Sequence, residues 1–388
     1  MQTVIHYSNQ LRDLRAIFID AGFDLWLVGG CVRDSIMGIA PKDIDIATSA
    51  TPDEQIAIYN ANSIRFIPTG LQHGTVSVVL DDTYEITSLR TESDHDGRWA
   101  SVAFTRDLNE DLSRRDLTIN AIAMDFDGNI IDPFGGVADI EARRVRFVGA
   151  AEERMTEDYL RILRFFRFHA RIAGDARLDT DAVNAIKETR SGLAGISAER
   201  IWSEISKIIT GPSAPAIVSA MRELTIFEII DMPHGMIGGI MRAQVHGITD
   251  PASVMGLYVI EPDEIDVIAK AWKWSSAERE RAKFIAEHWP INERPAMDRW
   301  KEMLVDGRPM DWVADLMRVA SVDPAVLADW PVPKMPVSGA DLIKAGVKPG
   351  PAMGQMIRTM TQVWKDSDYT ASKAELMAHV EMEVANDR

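Results

Sequence analysis

The chain has 388 residues, 46% apolar and 26% charged, with a formal net charge of −17 and one cysteine. It is longer than one ordinary domain and has the composition of a folded, soluble protein; no run of eighteen apolar residues offers a membrane span, and the start Met1-Gln-Thr-Val-Ile-His-Tyr-Ser lacks an export signal, so the expected location is the cytoplasm. Cys31 alone cannot form an internal disulfide or a thiolate metal cluster, and eight scattered histidines, with His95-Asp96 the one His-Asp step, argue against a zinc or His-Asp phosphohydrolase site.

An amphipathic helix is expected over residues 11–21, then a short apolar strand over 25–28, a turn at Gly29 and Gly30, a helix opening over 32–37 and a second strand over 42–47. Residues i and i+2 of a strand share a face, so Asp43 and Asp45 are expected to present their carboxylates side by side, as hard cations such as Mg²⁺ require. The turn at Gly30 brings backbone N–H groups to a helix start, where the local dipole favours phosphate, and Arg33 adds a fixed positive charge. A lone Gly-Gly is usually only a turn, and a lone Asp-x-Asp is usually a solvated strand end. Together they read as a metal-dependent site for nucleoside triphosphate chemistry.

Residues 74–80 and 84–89 read as a hairpin turning at Asp81-Asp82. Glu85 on its second strand is an ordinary surface residue if taken alone. Beside the Asp pair it is a candidate third carboxylate, binding metal or accepting the proton of an attacking hydroxyl. In Asp111-Leu-Ser-Arg-Arg-Asp-Leu-Thr-Ile-Asn-Ala121 the polar residues Asp116, Thr118 and Asn120 alternate with apolar ones, as in a strand, and Arg115 is a candidate partner for a triphosphate. The arginine pair also reads as a solvated charge run. Residues 119–126 and 130–131 form a further expected hairpin.

After Asp132-Pro-Phe-Gly-Gly136 the pattern turns helical, with helices expected over 157–172, 181–189, 198–210 and 214–222. Residues 141–171 hold eight arginines against five acids, a basic stripe in an acidic chain, although nucleic-acid binding ordinarily calls for basic surface. Asp158, Arg161, Arg164 and Arg167 recur at intervals of three along the first of these helices, a stripe suited to an anion or to surface ion pairs with Glu157 and Asp158. Asp158 and Arg161 also suit the base edge shared by cytosine and adenine, an amino donor beside a ring-nitrogen acceptor. Seven of the ten tryptophans lie after residue 270 and read as helical core.

These clusters, in this order, resemble the class II tRNA nucleotidyltransferases, the CCA-adding enzymes, and the bacterial poly(A) polymerases that share their catalytic half. The resemblance rests on Gly29-Gly-Cys-Val-Arg-Asp34 with Asp43-Ile-Asp45, on Arg114-Arg-Asp-Leu-Thr-Ile-Asn-Ala121, on Asp132-Pro-Phe-Gly-Gly136, on Glu157-Asp-Tyr-Leu-Arg161 and on Arg200-Ile-Trp-Ser-Glu-Ile-Ser-Lys207. It implies an α+β protein: a nucleotidyltransferase head with a small mixed sheet over 1–140, then an all-helical neck over 141–215, a body over 216–335 and a tRNA-binding tail over 336–388. It implies that Asp43 and Asp45 carry Mg²⁺, that Gly30, Arg33 and Arg115 meet the triphosphate, that Asp158 and Arg161 select the base, and that Arg164 and Arg167 complete the pocket. The implied reaction adds C, C and A to the 3′ end of tRNA from CTP and ATP, releasing pyrophosphate. Residues 91–106 stand where the family keeps a flexible loop needed to switch from C to A, and Leu117 stands where the family commonly has Phe. The alternatives are a poly(A) polymerase, disfavoured by the acidic end Glu381-Met-Glu-Val-Ala-Asn-Asp-Arg388, and a catalytically inactive RNA-binding module, disfavoured by the completeness of the motifs.

Overall fold

The computed structural model describes residues 5, 7–68, 70–91, 103–290 and 296–378. Most of the loop expected over 91–106 and the acidic carboxy-terminal end lie outside them. The chain divides into two compact units, one of Met1–Met241 with Tyr258–Ser276 and one of Arg242–Leu257 with Ala277–Arg388.

The first unit runs α1 (Asn9–Asp20), β1 (Leu25–Val28), α2 (Gly30–Ile36), β2 (Asp45–Thr48), α3 (Pro52–Ala61), β3 (Phe66–Ile67), β4 (Thr75–Val79), β5 (Thr83–Ser88), β6 (Arg90–Thr91), β7 (Ala103–Phe104), α4 (Leu108–Ser113), β8 (Ala123–Met124), β9 (Ile130–Ile131) and α5 (Gly136–Glu141). It continues with α6 (Ala151–Glu157), α7 (Leu160–Ile172), α8 (Thr180–Thr189), α9 (Ala198–Ile209), α10 (Ala214–Glu223) and shorter helices. Among the described residues seven strands form one mixed sheet in the order β3-β4-β5-β2-β1-β8-β9, and β6 pairs with β7 in a separate ribbon. The β2–β5 pairing is parallel and sets Asp45 opposite Glu85; the neighbouring pairings are antiparallel. On β5 exposure alternates, Tyr84, Ile86 and Ser88 buried and Thr83 and Glu85 exposed, so the sheet's apolar face is closed while Glu85 faces solvent. The second unit, among its described residues, is helical around Trp300, Leu316, Met317 and Trp364, all buried.

The α+β class, with a small mixed sheet followed by helices, is the observed architecture, and β1 and the β4–β5 hairpin match the expected spans. Three expectations are corrected. First, β2 begins at Asp45, so Asp43 lies on the bend before the strand, because the paired strands give Asp43 no partner. Second, Thr118–Asn120 is a 3₁₀ turn in which Leu117 through Asn120 are all buried, so the polar residues do not alternate out of a strand face. Third, the helix expected over 157–172 is broken: Asp158 adopts an extended conformation at the end of α6, its carboxylate accepts from the Leu160 N–H at 3.1 Å, and α7 restarts at Leu160. Asp158 therefore sits beside the arginine stripe, at a helix junction.

Candidate active site

The site grows from the turn after β1. Gly29 has φ of +68°, and a Cβ there would lie 2.7 Å from Arg115 Nη1, so both backbone and space demand glycine. The turn opens α2, whose Arg33 is buried beneath the site. Arg33 Nε donates to Asp34 Oδ1 at 2.9 Å and Nη1 to Asn120 Oδ1 at 2.5 Å. Burial lowers the Arg33 pKa, opposed by Asp34. Arg171 Nη2 donates to Asp34 Oδ2 at 2.8 Å and so ties α7 to α2.

Asp43, Asp45 and Glu85 line one open cavity of about 1130 Å³. Asp45 also lines a second cavity of about 560 Å³ together with Gly30, Arg33, Arg115, Asp158, Arg161, Arg164 and Arg167. All ten residues singled out from the sequence thus border two cavities that share Asp45. Asp45 is open to solvent on one side, yet crowding by protein pushes its carboxyl pKa up; Arg115 works in the opposite direction, and Glu85 and Asp43 push it further up. A carboxylate pushed up by burial and by the charges of two neighbouring acids belongs to a donor set that a divalent cation would satisfy. Among the described residues no three His, Cys, Asp or Glu side chains converge on one ion position. Asp43 and Asp45 are the residues that could hold a divalent ion, with water and substrate oxygens completing its shell. The Cys31 thiol beneath is pushed up to about 11, chiefly by burial, and stays a packed, protonated residue.

The three arginines of the α7 stripe are each matched to a carboxylate. Arg161 pairs with Glu157, Arg164 Nε donates to Asp116 Oδ2 at 2.6 Å, and Arg167 Nε lies 2.6 Å from Glu204 Oε2. Repulsion along the stripe is thus relieved inside the protein, and only Arg161 pairs with a carboxylate anticipated from the sequence. The rings and acids that order this wall were not picked out in advance. Phe168 is buried with the guanidiniums of Arg33, Arg164 and Arg167 over its ring, at 4.9, 5.6 and 4.3 Å from the centroid. Arg200 on α9 donates to Asp158 Oδ2 at 2.6 Å. Arg90 and Arg114 line the same cavity; Arg90 follows an unremarkable strand sequence, and nothing in its spacing marks it.

A family profile described as the poly A polymerase head domain matches residues 25–146, and one described as a probable RNA and SrmB-binding site of polymerase A matches 177–233. The chain is similar to the Mus musculus CCA tRNA nucleotidyltransferase 1, mitochondrial, at 33% identity over 96% of this chain and 90% of that one. It is similar to the CCA-adding enzyme of Limosilactobacillus fermentum at 34% identity over 88% of this chain and 89% of that one. The crystal structure of the Bacillus stearothermophilus CCA-adding enzyme in complex with CTP aligns with a TM-score of 0.77 at 29% identity, covering 98% of this chain and 100% of that one.

Proposed function

The chain belongs to the family of the CCA-adding tRNA nucleotidyltransferases, and from that premise we propose that it adds C, C and A to the 3′ end of tRNA from CTP and ATP. The observation that carries this reading to the residues is the shared border of the two cavities: carboxylates stand on one side of Asp45 and arginines on the other. Relatives matched over nearly their whole length are named for CCA addition, which favours this reading over open-ended A addition.

The family's chemistry is that of a divalent metal, and Asp43 and Asp45 would hold Mg²⁺. When bound, Mg²⁺ supplies charge neutralisation on the triphosphate and lowers the pKa of the attacking hydroxyl. Arg115 and Arg33 place positive charge beside the glycine turn, where α- to γ-phosphates would lie, and stabilise the pyrophosphate as it leaves. Glu85, opposite Asp45, would accept a proton from the incoming 3′ hydroxyl. Asp158 accepts from the exocyclic amino group of cytosine or adenine and Arg161 donates to the ring nitrogen, while Arg164 and Arg167 border the nucleotide. Guanine and uracil would leave these half-buried groups mispaired.

The proposed division is a catalytic head to residue 140, a neck to 215, a body to 335 and a tRNA-binding tail. No described helix is long and apolar enough to cross a membrane; relatives bear bacterial and mitochondrial names, and a cytoplasmic site of action is our proposal. The test is to incubate the protein with Mg²⁺ and tRNA lacking its 3′ end, supply CTP, ATP or both, and count added nucleotides. Growth by C, C and A supports the reading; long A tails or no addition would overturn it.

A further inference from the structure

Asp111 on α4 has both carboxylate oxygens engaged inside the protein. Oδ1 accepts from Arg114 Nε at 3.0 Å, from Arg114 Nη2 at 2.6 Å and from the Arg90 N–H at 3.2 Å; Oδ2 accepts from Arg115 Nη2 at 3.1 Å. The residue is 2% exposed. A carboxylate so deeply buried is tolerated only when paired and hydrogen-bonded. Burial pushes its pKa up, but Arg115 and Arg114 outweigh that and hold it below the usual range. It stays an anion at neutral pH.

Its two partners reach the site from different directions. Arg115 is braced at both ends, Nη2 on Asp111 and Nη1 donating to the Asn120 carbonyl at 3.2 Å, and Nη1 occupies the space that the missing Cβ of Gly29 leaves. Its Nε has no partner among the described residues. Arg114 Nε also donates to the Arg90 carbonyl at 3.2 Å, so both backbone polar groups of Arg90 are tied to the Asp111–Arg114 pair. Arg90 and Arg115 line the recess beside Asp45 and Glu85 as well as the larger arginine-lined cavity. One buried acid thereby orients the Arg115 guanidinium and anchors the backbone of Arg90 at the border where a polyphosphate would lie.

We propose that Asp111 is a positioning residue for the nucleotide's phosphates, holding Arg115 against the glycine turn so that its guanidinium is aimed before the nucleotide arrives. The proposal rests on the reading of this cavity as the nucleotide site. Asp111 touches no substrate itself. A guanidinium fixed in advance loses less rotamer freedom on binding, so the effect belongs to nucleotide affinity and leaves the acceptor RNA unaffected.

The test is Asp111→Asn, which keeps the shape and removes the charge. Folding is checked by the circular-dichroism melt; should the Asn variant not fold, Asp111→Glu, which retains the charge one methylene further out, is read for a shift in the same direction. The expected result is a rise in KM for CTP and ATP of about tenfold, with KM for tRNA within about twofold and kcat within about threefold. CTP affinity measured by calorimetry with Mg²⁺ should fall by the same factor. On an Arg115→Ala background the same change should move nucleotide KM by less than about twofold, since the group it positions is gone. Unchanged CTP affinity in a folded variant, or equal effects with and without Arg115, would overturn the proposal. A wild-type protein that binds CTP yet transfers none would instead count against nucleotide transfer, leaving Asp111 to be judged by affinity.

Discussion

Asp158 Oδ2 accepts from Arg200 Nη2 at 2.6 Å, which joins the break between α6 and α7 to the first turn of α9. Oδ1 meanwhile accepts from the Leu160 N–H, so both oxygens are oriented by the protein and keep lone pairs for a base. Replacing Arg200 by Ala should loosen the carboxylate and reduce the preference for CTP and ATP over UTP and GTP by about tenfold, and Asp158→Ala should reduce it further. Incorporation measured with each of the four triphosphates checks this. A preference unchanged in both variants would remove Asp158 from base selection.

Asp45 is crowded by Glu85 and Asp43 and borders both cavities. Asp45→Asn should cut kcat by about three orders of magnitude or more. Asp43→Ala should act similarly and Glu85→Gln less severely. Single-turnover rates with CTP give the readout, and near-normal turnover in Asp45→Asn would be incompatible with the assigned role.

Gly29 and Gly38 separate strain from collision. Both have positive φ, but a Cβ at Gly38 meets nothing within 4 Å, whereas one at Gly29 meets Arg115 Nη1 at 2.7 Å. Each Gly→Ala change should lower stability by about 1–2 kcal/mol through backbone strain. Only Gly29→Ala should also raise nucleotide KM, because Arg115 must move. Thermal melts paired with KM measurements distinguish the two effects; equal kinetics for the two variants would refute the clash.

Asp116 gives the fold an acid-sensitive joint. Burial alone would raise its pKa, but Arg164 and the hydrogen bonds from Asn120 and the Leu117 N–H overcome burial and hold it below the usual value. A depressed folded pKa contributes stability that is complete above the unfolded value of about 4 and is lost as pH falls through the folded value. Melting temperature followed from pH 7 downward should drop for the wild type below about pH 4. Asp116→Asn should start lower and fall less steeply. Parallel curves would show that Asp116 carries no acid sensitivity.

Phe168 holds three guanidiniums over one buried ring. Phe168→Leu keeps an apolar filler but removes the aromatic face, and should weaken CTP binding by about threefold to tenfold at modest cost in stability. Calorimetric affinity beside a melting curve checks it; unchanged affinity would reduce Phe168 to packing.

Much of this arrangement was legible from spacing. β1 and the β4–β5 hairpin follow from apolar runs bounded by turn residues; Asp45 is a candidate oxygen donor from its spacing to Asp43, and Glu85 only beside that pair. The errors fall where partners distant in sequence decide the local form. Asp43 lies off the strand because pairing with β1 stops at Ile46 and pairing with β5 at Asp45. Asp158 leaves the helix because its carboxylate caps Leu160 and is held by Arg200, forty-two residues away. Thr118–Asn120 tightens into a 3₁₀ turn because Thr118 Oγ1 donates to the buried Asp139 at 2.6 Å. Arg90 escaped notice because its place is fixed through its backbone, by Asp111 and Arg114.

The in-register parallel pairing of β2 and β5 sets Asp45 and Glu85 directly opposite each other on one hydrogen-bonded ladder, whereas the groups proposed to read the base are held at α6, α7 and α9 by side-chain ion pairs and hydrogen bonds. The proposed chemistry is thus anchored to paired sheet backbone and the proposed selection to side-chain contacts. A substitution that alters the proposed reader can therefore spare the scaffold that carries the acids.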